Sequence, residues 1–331
     1  MVATINDVAD KAGVSIGTVS KVLNNYSNVS KETREKVLKA AKELNYVPNT
    51  IASALSSKNN TRVAVYVYIN DQRQAIDEIN MQYLQGSFTM ASTVGLNVIT
   101  VFNYSVSNLN VDELIQYFNA QGISGILVFG LNKEDHIIHE IINRQIFNMV
   151  VVDAPIFNQK TSSVSVDHLN GQYEVAKQAF LDKNINNVLY LAGKQNGYVT
   201  DQRIDGIKKL QKEQGFTLQI EHCEFSEKKA YEVTLSKAKD FDAIVCASDL
   251  MAIGANNALK KMGMPKVCCG YDGITLMGYV GDNMLTCKQN FFSVAQTAVN
   301  EMKKLMNHEQ GRQLLLGYEI LSISYESVIF W

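Results

Sequence analysis

Residues 4–58 read TINDVADKAGVSIGTVSKVLNNYSNVSKETREKVLKAAKELNYVPNTIASALSSK, and this stretch decides how the N-terminal part of the chain folds. Thr4 and Asp7 form a capping-box-like start, and apolar residues then recur at helical spacing. Gly13 permits a tight turn, and Ser15 is placed to cap a second helix. The pattern predicts a short helix, a tight turn and a second helix.

A third helix, capped by Ser30, is predicted to close a small apolar core. The predicted inward positions of the three helices are Ile5, Val8, Ala9, Ala12, Val19, Val22, Leu23, Val37, Leu38, Ala41 and Leu44. Periodicity alone favours an ordinary three-helix bundle with polar outer faces. The alternative is a helix-turn-helix unit whose second helix enters the major groove of DNA.

The outer face of the second helix has side chains suited to DNA. Lys21 can reach a guanine edge or a phosphate, and Ile16 can contact a thymine methyl group. Thr18 and Ser20 can hydrogen-bond backbone oxygens, while Gly17 leaves room for close approach. These residue types are compatible with DNA readout and do not prove it.

Charge is distributed unevenly along the chain. Residues 1–60 contain eight Lys or Arg and five Asp or Glu, a net charge of +3, whereas the remainder carries −5. A small positive module on a mildly acidic body is typical of local attraction to phosphate. An uneven solvated surface would explain the charges equally well.

The segment from Thr4 to Lys58 resembles the headpiece of the lactose-repressor/galactose-repressor family without a gap. The motifs DVADKAGVS, TVSKVLN, VSKETREKV and LNYVPN carry this resemblance. It favours the helix-turn-helix interpretation over an ordinary bundle. The DNA-binding residues that it implies, together with the chemistry above, are Thr4, Ser15, Ile16, Gly17, Thr18, Ser20, Lys21, Asn24, Ser30, Thr33, Asn49, Ala52 and Leu55.

A short apolar segment, 50–57, follows Pro48 and is capped by Asn49. Eight residues are too few to form a stable helix alone. In the family that the chain resembles, the equivalent segment folds when two copies meet in the minor groove of an operator. The resemblance implies that Leu55 is the apolar wedge that kinks the duplex. A disordered tether is the alternative for the DNA-free state.

The chain after Arg62 alternates short apolar runs with amphipathic stretches. The predicted strands are Val63–Ile69, Leu96–Phe102, Gly125–Phe129, Phe147–Asp153, Val188–Ala192, Ala243–Cys246 and Lys266–Tyr271. This alternation predicts an α/β core of two doubly wound parallel-sheet lobes, with ligands at the carboxyl ends of the strands.

The predicted organisation is a small all-α headpiece joined to this core. The predicted domains are residues 1–47 as helix-turn-helix headpiece, 48–60 as hinge helix and linker, and 61–331 as effector-binding and dimerisation core. Within the core, the N-lobe is predicted at about 61–165 and 291–319 and the C-lobe at about 166–290 and 320–331.

The core resembles the same family, whose lobes are periplasmic-binding-protein-like. SVSVDHLNGQYEVAKQAF, DQRIDGIKKL, ASDLMAIGANNALKKMGM, GYDG and TCKQNFF carry this resemblance. The effector-binding residues that it implies are Tyr68, Phe129, Asp153, Arg203, Phe225, Ser248, Asp272 and Phe291. Plain core packing is the alternative for the two aromatic residues Phe225 and Phe291, and an interlobe salt bridge is the alternative for Arg203.

Several positions depart from the family pattern. Ser248 stands where the family usually has asparagine, and Phe129 occupies a position that is polar in the lactose repressor. Lys183 and Asn184 replace the usual Gly-His pair, and the C-terminus lacks the common basic ending. These departures predict a pocket more apolar than a simple monosaccharide site. The expected effector is a sugar, glycoside or sugar phosphate.

The sequence gives little support for other classes of protein. The apolar runs are too short to span a membrane, and no signal-peptide pattern opens the chain, so we expect a cytoplasmic protein. The five cysteines lack metal-site spacing and fit reduced thiols. We therefore expect no metal and no cofactor.

Catalytic motifs are equally weak. GILVFG lacks the Lys-Ser/Thr of a phosphate loop, and neither a GxGxxG loop nor a GxSxG elbow occurs. His136, His139 and Glu140 can share a helix face, but their order matches no zinc-protease motif. Asp249 follows Ser248, yet no histidine is near in sequence, which leaves hydrolysis a distant hypothesis. No catalytic residue is predicted.

The expected function is a homodimeric repressor that binds a pseudo-palindromic operator and responds to a small effector between its lobes. The alternative is a cytosolic small-molecule sensor that acts through protein partners. The predicted minor-groove hinge argues against this alternative.

Overall fold

The computed structural model describes residues 3–23, 26, 28–46, 61–69, 78–280 and 283–329. Its contacts divide the chain into two compact units, residues 1–62 with 116–124 and residues 63–115 with 125–331. The described residues up to 46 of the first unit contain α1 (Ile5–Ala12), α2 (Ile16–Leu23) and α3 (Lys31–Glu43). They occupy the segments in which the capping patterns predict helices.

The helix starts in this unit are fixed by local hydrogen bonds. The Thr4 hydroxyl accepts from the Asp7 amide, while the Asp7 carboxylate accepts from the Thr4 amide at 2.7 Å. Ser15 and Ser30 cap α2 and α3, each accepting at 3.2 Å from an amide three residues later. These bonds satisfy donors that the first turn of a helix leaves free. The three predicted caps are confirmed.

The small core of the first unit is built from one stripe of each helix. Its buried side chains are Val8, Ala9, Val19, Val22, Val37, Ala40 and Ala41. Leu38 was predicted to point inward, and that prediction is wrong, because 49% of it is exposed. Leu38 lies about 100° around the helix from Val37. The buried face of α3 is narrow and consists of Val37, Ala40 and Ala41, so Leu38 lies outside it.

The second unit carries two six-stranded sheets. The first sheet contains β1 (Arg62–Val67), β2 (Asn97–Phe102), β3 (Gly125–Phe129), β4 (Asn148–Val152), β5 (Thr161–Val166) and β11 (Gln313–Leu316), in the order β11-β5-β4-β3-β1-β2. The second contains β6 (Asn187–Ala192), β7 (Thr217–His222), β8 (Ala243–Cys246), β9 (Val267–Cys269), β10 (Leu285–Lys288) and β12 (Glu319–Ser322), in the order β12-β10-β9-β8-β6-β7.

Helices separate most of these strands. They are α4 (Glu78–Val94), α5 (Val111–Ala120), α6 (His136–Arg144), α7 (His168–Ala179), α8 (Tyr198–Gln214), α9 (Glu227–Lys237), α10 (Asp249–Met262), α11 (Leu276–Tyr279), α12 (Phe291–Met306) and α13 (Tyr325–Ile329), with short 3-10 helices at Asn103–Val106 and Ala238–Asp240. Within the described ranges, none of the helices combines the length and apolarity that crossing a membrane requires.

In the second sheet the strand pairing is parallel except at one edge, where β12 runs antiparallel to β10. In the first sheet, β3 pairs with β1 and β4, for example Leu127 with Val65 and Val150. The chain passes from the first sheet to the second after β5, returns after β10 and passes again before β12. The predicted fold class, a helical headpiece with two doubly wound lobes, is confirmed.

All seven predicted strands are present, with ends that differ by at most two residues. Five further strands, β5, β7, β10, β11 and β12, were missed. β5 reads TSSVSV and is fully buried although four of its six residues are serine or threonine, because its serine hydroxyls find partners such as the Ala154 carbonyl, which Ser163 contacts at 2.6 Å. Polar composition therefore concealed a central strand from sequence reasoning.

The narrow core stripe of α3 leads to a test with adjacent positions. Val37→Ala leaves a cavity in a minimal core and should destabilise the headpiece by about 2 kcal/mol. Leu38→Ala, which removes an exposed side chain, should change stability by no more than about 0.5 kcal/mol. Amide hydrogen exchange of residues 5–43 in the full-length protein measures both. Equal losses of protection would contradict the assigned orientation of α3.

Candidate functional site

The carboxyl ends of the strands of both sheets border one cluster of buried charged groups. Asp153 follows β4 and adopts a left-handed backbone conformation with φ of 61°. Its carboxylate accepts from the Tyr83 hydroxyl at 3.0 Å, from the Ser165 hydroxyl at 3.1 Å and from the His168 ring at 3.0 Å. A strained backbone and three bonds fix the direction of this carboxylate.

Arg203, from α8, brings the cation of the cluster. The residue is 4% exposed, and its guanidinium lies 3.3 Å from the Asp272 carboxylate, which follows β9. The guanidinium also donates to the Ala247 carbonyl and stacks on the Tyr271 ring with its carbon 3.8 Å from the ring centroid. The Asp272 carboxylate, the Ala247 carbonyl and the Tyr271 ring together surround the guanidinium. Their contacts offset much of the free-energy cost of burying its charge.

His168 connects the charged groups of the two lobes. Its Nδ1 lies 3.5 Å from Nη2 of Arg203, and since guanidinium nitrogens only donate, this nitrogen accepts. Nε2 therefore carries the proton and donates to Asp153. Burial lowers the pKa of His168 although Asp153 opposes the shift. The ring is consequently neutral at pH 7, and its contact with Asp153 is a hydrogen bond rather than an ion pair.

The carboxyl groups of the cluster respond to burial in different ways. Burial raises the pKa of Asp272, and the adjacent Arg203 only partly offsets this effect. Burial would also raise the pKa of Asp153, but the contact with His168 and the Arg203 charge lower it below its usual value. Asp153 is thus ionised at neutral pH, while Asp272 holds its proton more strongly than an ordinary aspartate.

An aromatic group packs next to Asp153. The Tyr83 ring centroid lies 4.6 Å from that of Phe129 and 5.4 Å from that of Phe291, the second contact being edge-on. All three residues are buried in the apolar core of the first lobe. Tyr83 joins this core to the charged cluster through its hydroxyl. The effector-binding roles of Phe129 and Phe291 remain predictions, because both rings already serve core packing.

The other predicted effector residues lie in different surroundings. The Phe225 ring covers Gly193 so closely that a β-carbon there would come within 2.1 Å of it, and it lies 6.0 Å from the Arg203 guanidinium. The Ser248 hydroxyl caps α10 by accepting from the Met251 amide at 3.3 Å. Tyr68 packs edge-on against Tyr66, and burial raises the pKa of its hydroxyl, which also contacts Asp135.

Hydrogen bonds and an ion pair join the two lobes on two sides of the cluster. Glu78 of α4 accepts from the amide of Thr275 at 2.9 Å and from its hydroxyl at 2.7 Å. On the other side, Lys133 pairs with Asp201 at 2.5 Å, and the amide of Lys133 donates to the Asn196 carbonyl. The structure therefore represents a closed arrangement of the two lobes.

The predicted DNA-binding face of α2 is accessible. Ile16 is 50% exposed, and Gly17 and Lys21 are also exposed. The hydroxyls of Ser15 and Thr18 bond to each other at 2.9 Å, as do those of Ser30 and Thr33 at 2.8 Å; Thr4 is the α1 cap, and Ser20 is half-buried. The predicted residues Asn24, Asn49, Ala52 and Leu55, and with them the hinge, lie outside the described residues.

Asp249 and His139, two of the residues considered for catalysis, make structural contacts. The Asp249 carboxylate accepts from the amides of Gly273 and Ile274 and from the Thr286 hydroxyl, which fixes the loop after Asp272. His139 contacts the Asn132 carbonyl at 2.9 Å. Within the described ranges, no group of three or more His, Cys, Asp or Glu side chains is arranged to hold a metal ion.

Lys183, one of the departures from the family pattern, lines a cavity of about 560 Å³ in the second lobe. This cavity lies at the amino ends of β9 and β10, whereas Asp272 follows the carboxyl end of β9. The Lys183 ammonium donates to the Ala179 carbonyl at 3.1 Å near the end of α7. This departure therefore lies away from the charged cluster.

Comparison with known proteins agrees with this architecture. Residues 4–49 match the family described as bacterial regulatory proteins, lacI family, and residues 178–316 match the periplasmic binding protein-like domain family. The chain therefore joins an N-terminal segment that matches the lacI family of bacterial regulatory proteins to a core segment that matches periplasmic binding protein-like domains.

Individual relatives match over nearly the whole chain. The HTH-type transcriptional regulator RegA of Clostridium saccharobutylicum is 26% identical over 94% of both chains. The HTH-type transcriptional repressor PurR of Histophilus somni strain 129Pt is 27% identical over 99% of this chain and 98% of its own. A lac repressor dimer, solved with operator and the anti-inducer ONPF, has a TM-score of 0.81 and 25% identity over 98% of this chain and 99% of that chain.

Sequence reasoning missed several residues of the cluster, namely Tyr83, Ser165, His168, Tyr271 and Gln289. His168 follows the overlooked strand β5, so no strand end marked its position. Gln289 follows β10, which was also overlooked, and donates to the Asp272 carboxylate at 3.0 Å. Recognising β5 would have placed His168 at the carboxyl edge of the first sheet, where Asp153 lies. Recognising β10 would have placed Gln289 at the carboxyl edge of the second sheet, where Asp272 lies.

The neutral state of His168 predicts a dependence of stability on pH. Because its folded pKa is lowered, an unfolded chain binds the proton more strongly, and stability should fall as pH decreases below about 6.5. His168→Gln should reduce the change in melting temperature between pH 5 and pH 7. His136→Gln, at an exposed position, is the control. An unchanged slope in the first variant would contradict a buried neutral ring.

Proposed function

We propose that this lacI-family regulator is a repressor that binds a pseudo-palindromic operator as a homodimer, and that a small carbohydrate-type effector between its lobes controls the binding. It would act in the cytoplasm and without enzymatic activity. The observation that carries the proposal is the presence, in one chain, of an exposed helix-turn-helix surface and a closed interlobe cluster of polar groups.

The DNA-binding part rests on the exposed face of α2. Ile16, Gly17 and Lys21 project from a helix whose start is fixed by the Ser15 cap. A rigid helix with an exposed apolar side chain, a glycine and a cation suits contact with base edges and phosphates in the major groove. The net positive charge of residues 1–60 supplies attraction to the duplex.

The effector part rests on the cluster around Asp153, Arg203 and Asp272. Two carboxyl groups and a guanidinium from both lobes converge there, next to the aromatic rings of Tyr83 and Tyr271. Paired acceptors and donors beside aromatic faces suit a ligand with hydroxyl groups and an apolar ring surface. A ligand that contacts both lobes favours one lobe arrangement over another.

Two exposed apolar side chains of α4 support the proposed homodimer. Met81 and Phe88, two turns apart on one face of this helix, are 65% and 46% exposed. Large apolar side chains exposed together mark an interaction surface. A twofold dimer would present two headpieces to two half-sites, as the proposed palindromic operator requires.

A sensor that acts through protein partners is the second candidate. It shares the effector site but predicts no sequence-specific DNA binding. The exposed Lys21 and the lacI-family match over residues 4–49 favour DNA. Selection of binding sequences from a random DNA pool distinguishes the two candidates, since only the regulator enriches a palindrome.

Thermodynamic linkage tests the proposed function as a whole. An effector found in a thermal-shift screen of sugars, glycosides and sugar phosphates should change operator affinity by a factor of about 5 to 150. Operator DNA must then change effector affinity by the same factor, which calorimetry measures. Binding of both ligands without any mutual effect would refute the allosteric control.

The hinge gives a second test. Leu55→Ala removes the proposed minor-groove wedge and should weaken operator binding while effector binding is unchanged. Leu38→Ala removes an exposed leucine of the headpiece and is the matched control. Fluorescence polarisation with labelled operator measures both variants. Equal operator affinities for Leu55→Ala and the unmodified protein would exclude the wedge.

A further inference from the structure

The charges in the interlobe cluster restrict the chemistry of the effector. Among the described lysines and arginines, Arg203 alone is buried, and its guanidinium is already shared between Asp272, the Ala247 carbonyl and the Tyr271 ring. Asp153 is ionised, and His168 is neutral. The buried part of the site therefore contains more carboxyl groups than cations.

Two lysines near the cluster, Lys133 and Lys288, also face carboxylates. Lys133 pairs with Asp201 at 2.5 Å. Lys288, at the end of β10, lies within the electrostatic range of Glu78 and Glu319. A phosphate group entering the cleft would meet the negative charge of Asp153, and it would have to displace Asp272 to reach Arg203. Both requirements disfavour a dianion.

Two buried polar atoms of the cluster have no hydrogen-bond partner. They are Nε of Arg203, a donor, and Oε1 of Gln289, an acceptor. The residues that carry them both contact the Asp272 carboxylate. A hydroxyl group donates and accepts, so hydroxyls match both kinds of atom, whereas a fully ionised phosphate accepts only. Buried polar atoms without partners are rare and call for such an explanation.

We infer that the effector is an uncharged polyhydroxyl compound rather than a phosphorylated one. Its hydroxyls donate to Asp153 and complete the bonding of Arg203 and Gln289, and its apolar face lies against the aromatic side chains. This inference rests on the proposed function, because it assigns the class of the ligand of the same site.

Matched pairs of neutral and phosphorylated sugars test the inference on the full-length protein. Glucose and glucose 6-phosphate, cellobiose and cellobiose 6′-phosphate, and lactose and lactose 6-phosphate are compared by thermal shift and calorimetry, with inorganic phosphate alone. We expect a neutral sugar to bind and its phosphorylated partner to bind at least about tenfold more weakly. A phosphorylated sugar that binds as tightly or more tightly overturns the inference but leaves the proposed carbohydrate effector standing.

Failure of the proposed function gives a different result. If no compound of either set binds, the carbohydrate effector and the inference fail together. Lys194, a half-buried lysine two residues after β6, is the alternative ligand of a phosphate. If a phosphorylated sugar binds and Lys194→Ala abolishes the binding, the inference is wrong.

Two substitutions test the physical reason. Asp272→Asn removes a carboxylate beside Arg203 and should reduce the preference for the neutral sugar, whereas an unchanged preference contradicts exclusion by charge.

Gln289→Leu removes the unpartnered acceptor and should weaken the binding of the neutral sugar by about tenfold. Gln178→Leu, at an exposed position of α7, is the matched control. Melting temperatures without ligand verify that each variant is folded, and Asp153→Asn replaces Asp272→Asn if that variant unfolds.

Discussion

The buried guanidinium of Arg203 is the group on which the arrangement of the core depends. Removing a cation from water is costly, and the cost is tolerable only where several partners surround the charge. Here those partners are the Asp272 carboxylate, the Ala247 carbonyl and the Tyr271 ring, which the strand ends of the second lobe bring together. Asp249, beneath them, holds the loop that carries Asp272 through two amides and a hydroxyl.

The same guanidinium links the second lobe to the first. His168 accepts from Arg203 on one ring nitrogen and donates to Asp153 on the other, and Asp153 in turn accepts from Tyr83 in the core of the first lobe. Each member of this chain has a defined donor or acceptor role, so a change in one bond alters the others. Opening the lobes would separate Asp153 from the second-lobe members and expose charged groups to water.

How well the sequence predicted each region depends on the range of the interactions. The headpiece was predictable because Thr4, Ser15 and Ser30 act on amides three residues away, and only the orientation of Leu38 was wrong. The charged cluster was predictable in part. Asp153 and Asp272 directly follow predicted strands, whereas His168 and Gln289 follow strands whose polar or short sequences gave no periodic signal. Contacts over more than 100 residues, such as that between His168 and Tyr271, leave no local pattern.

The closed cluster also limits how an effector can act. A ligand shifts an equilibrium between lobe arrangements only by the difference in its affinity for them. Asp153 and Arg203 belong to opposite lobes, so a ligand that bonds to both prefers the closed arrangement. The eight residues 50–57 are too few to form a stable helix alone, so under the proposed function small changes in headpiece spacing decide whether this segment folds on DNA. In the proposed homodimer, the spacing of the two hinges in the closed state then decides whether closure strengthens or weakens operator binding. The sign of control is accordingly a property of the dimer geometry, whereas the choice of ligand is a property of the cluster around Arg203.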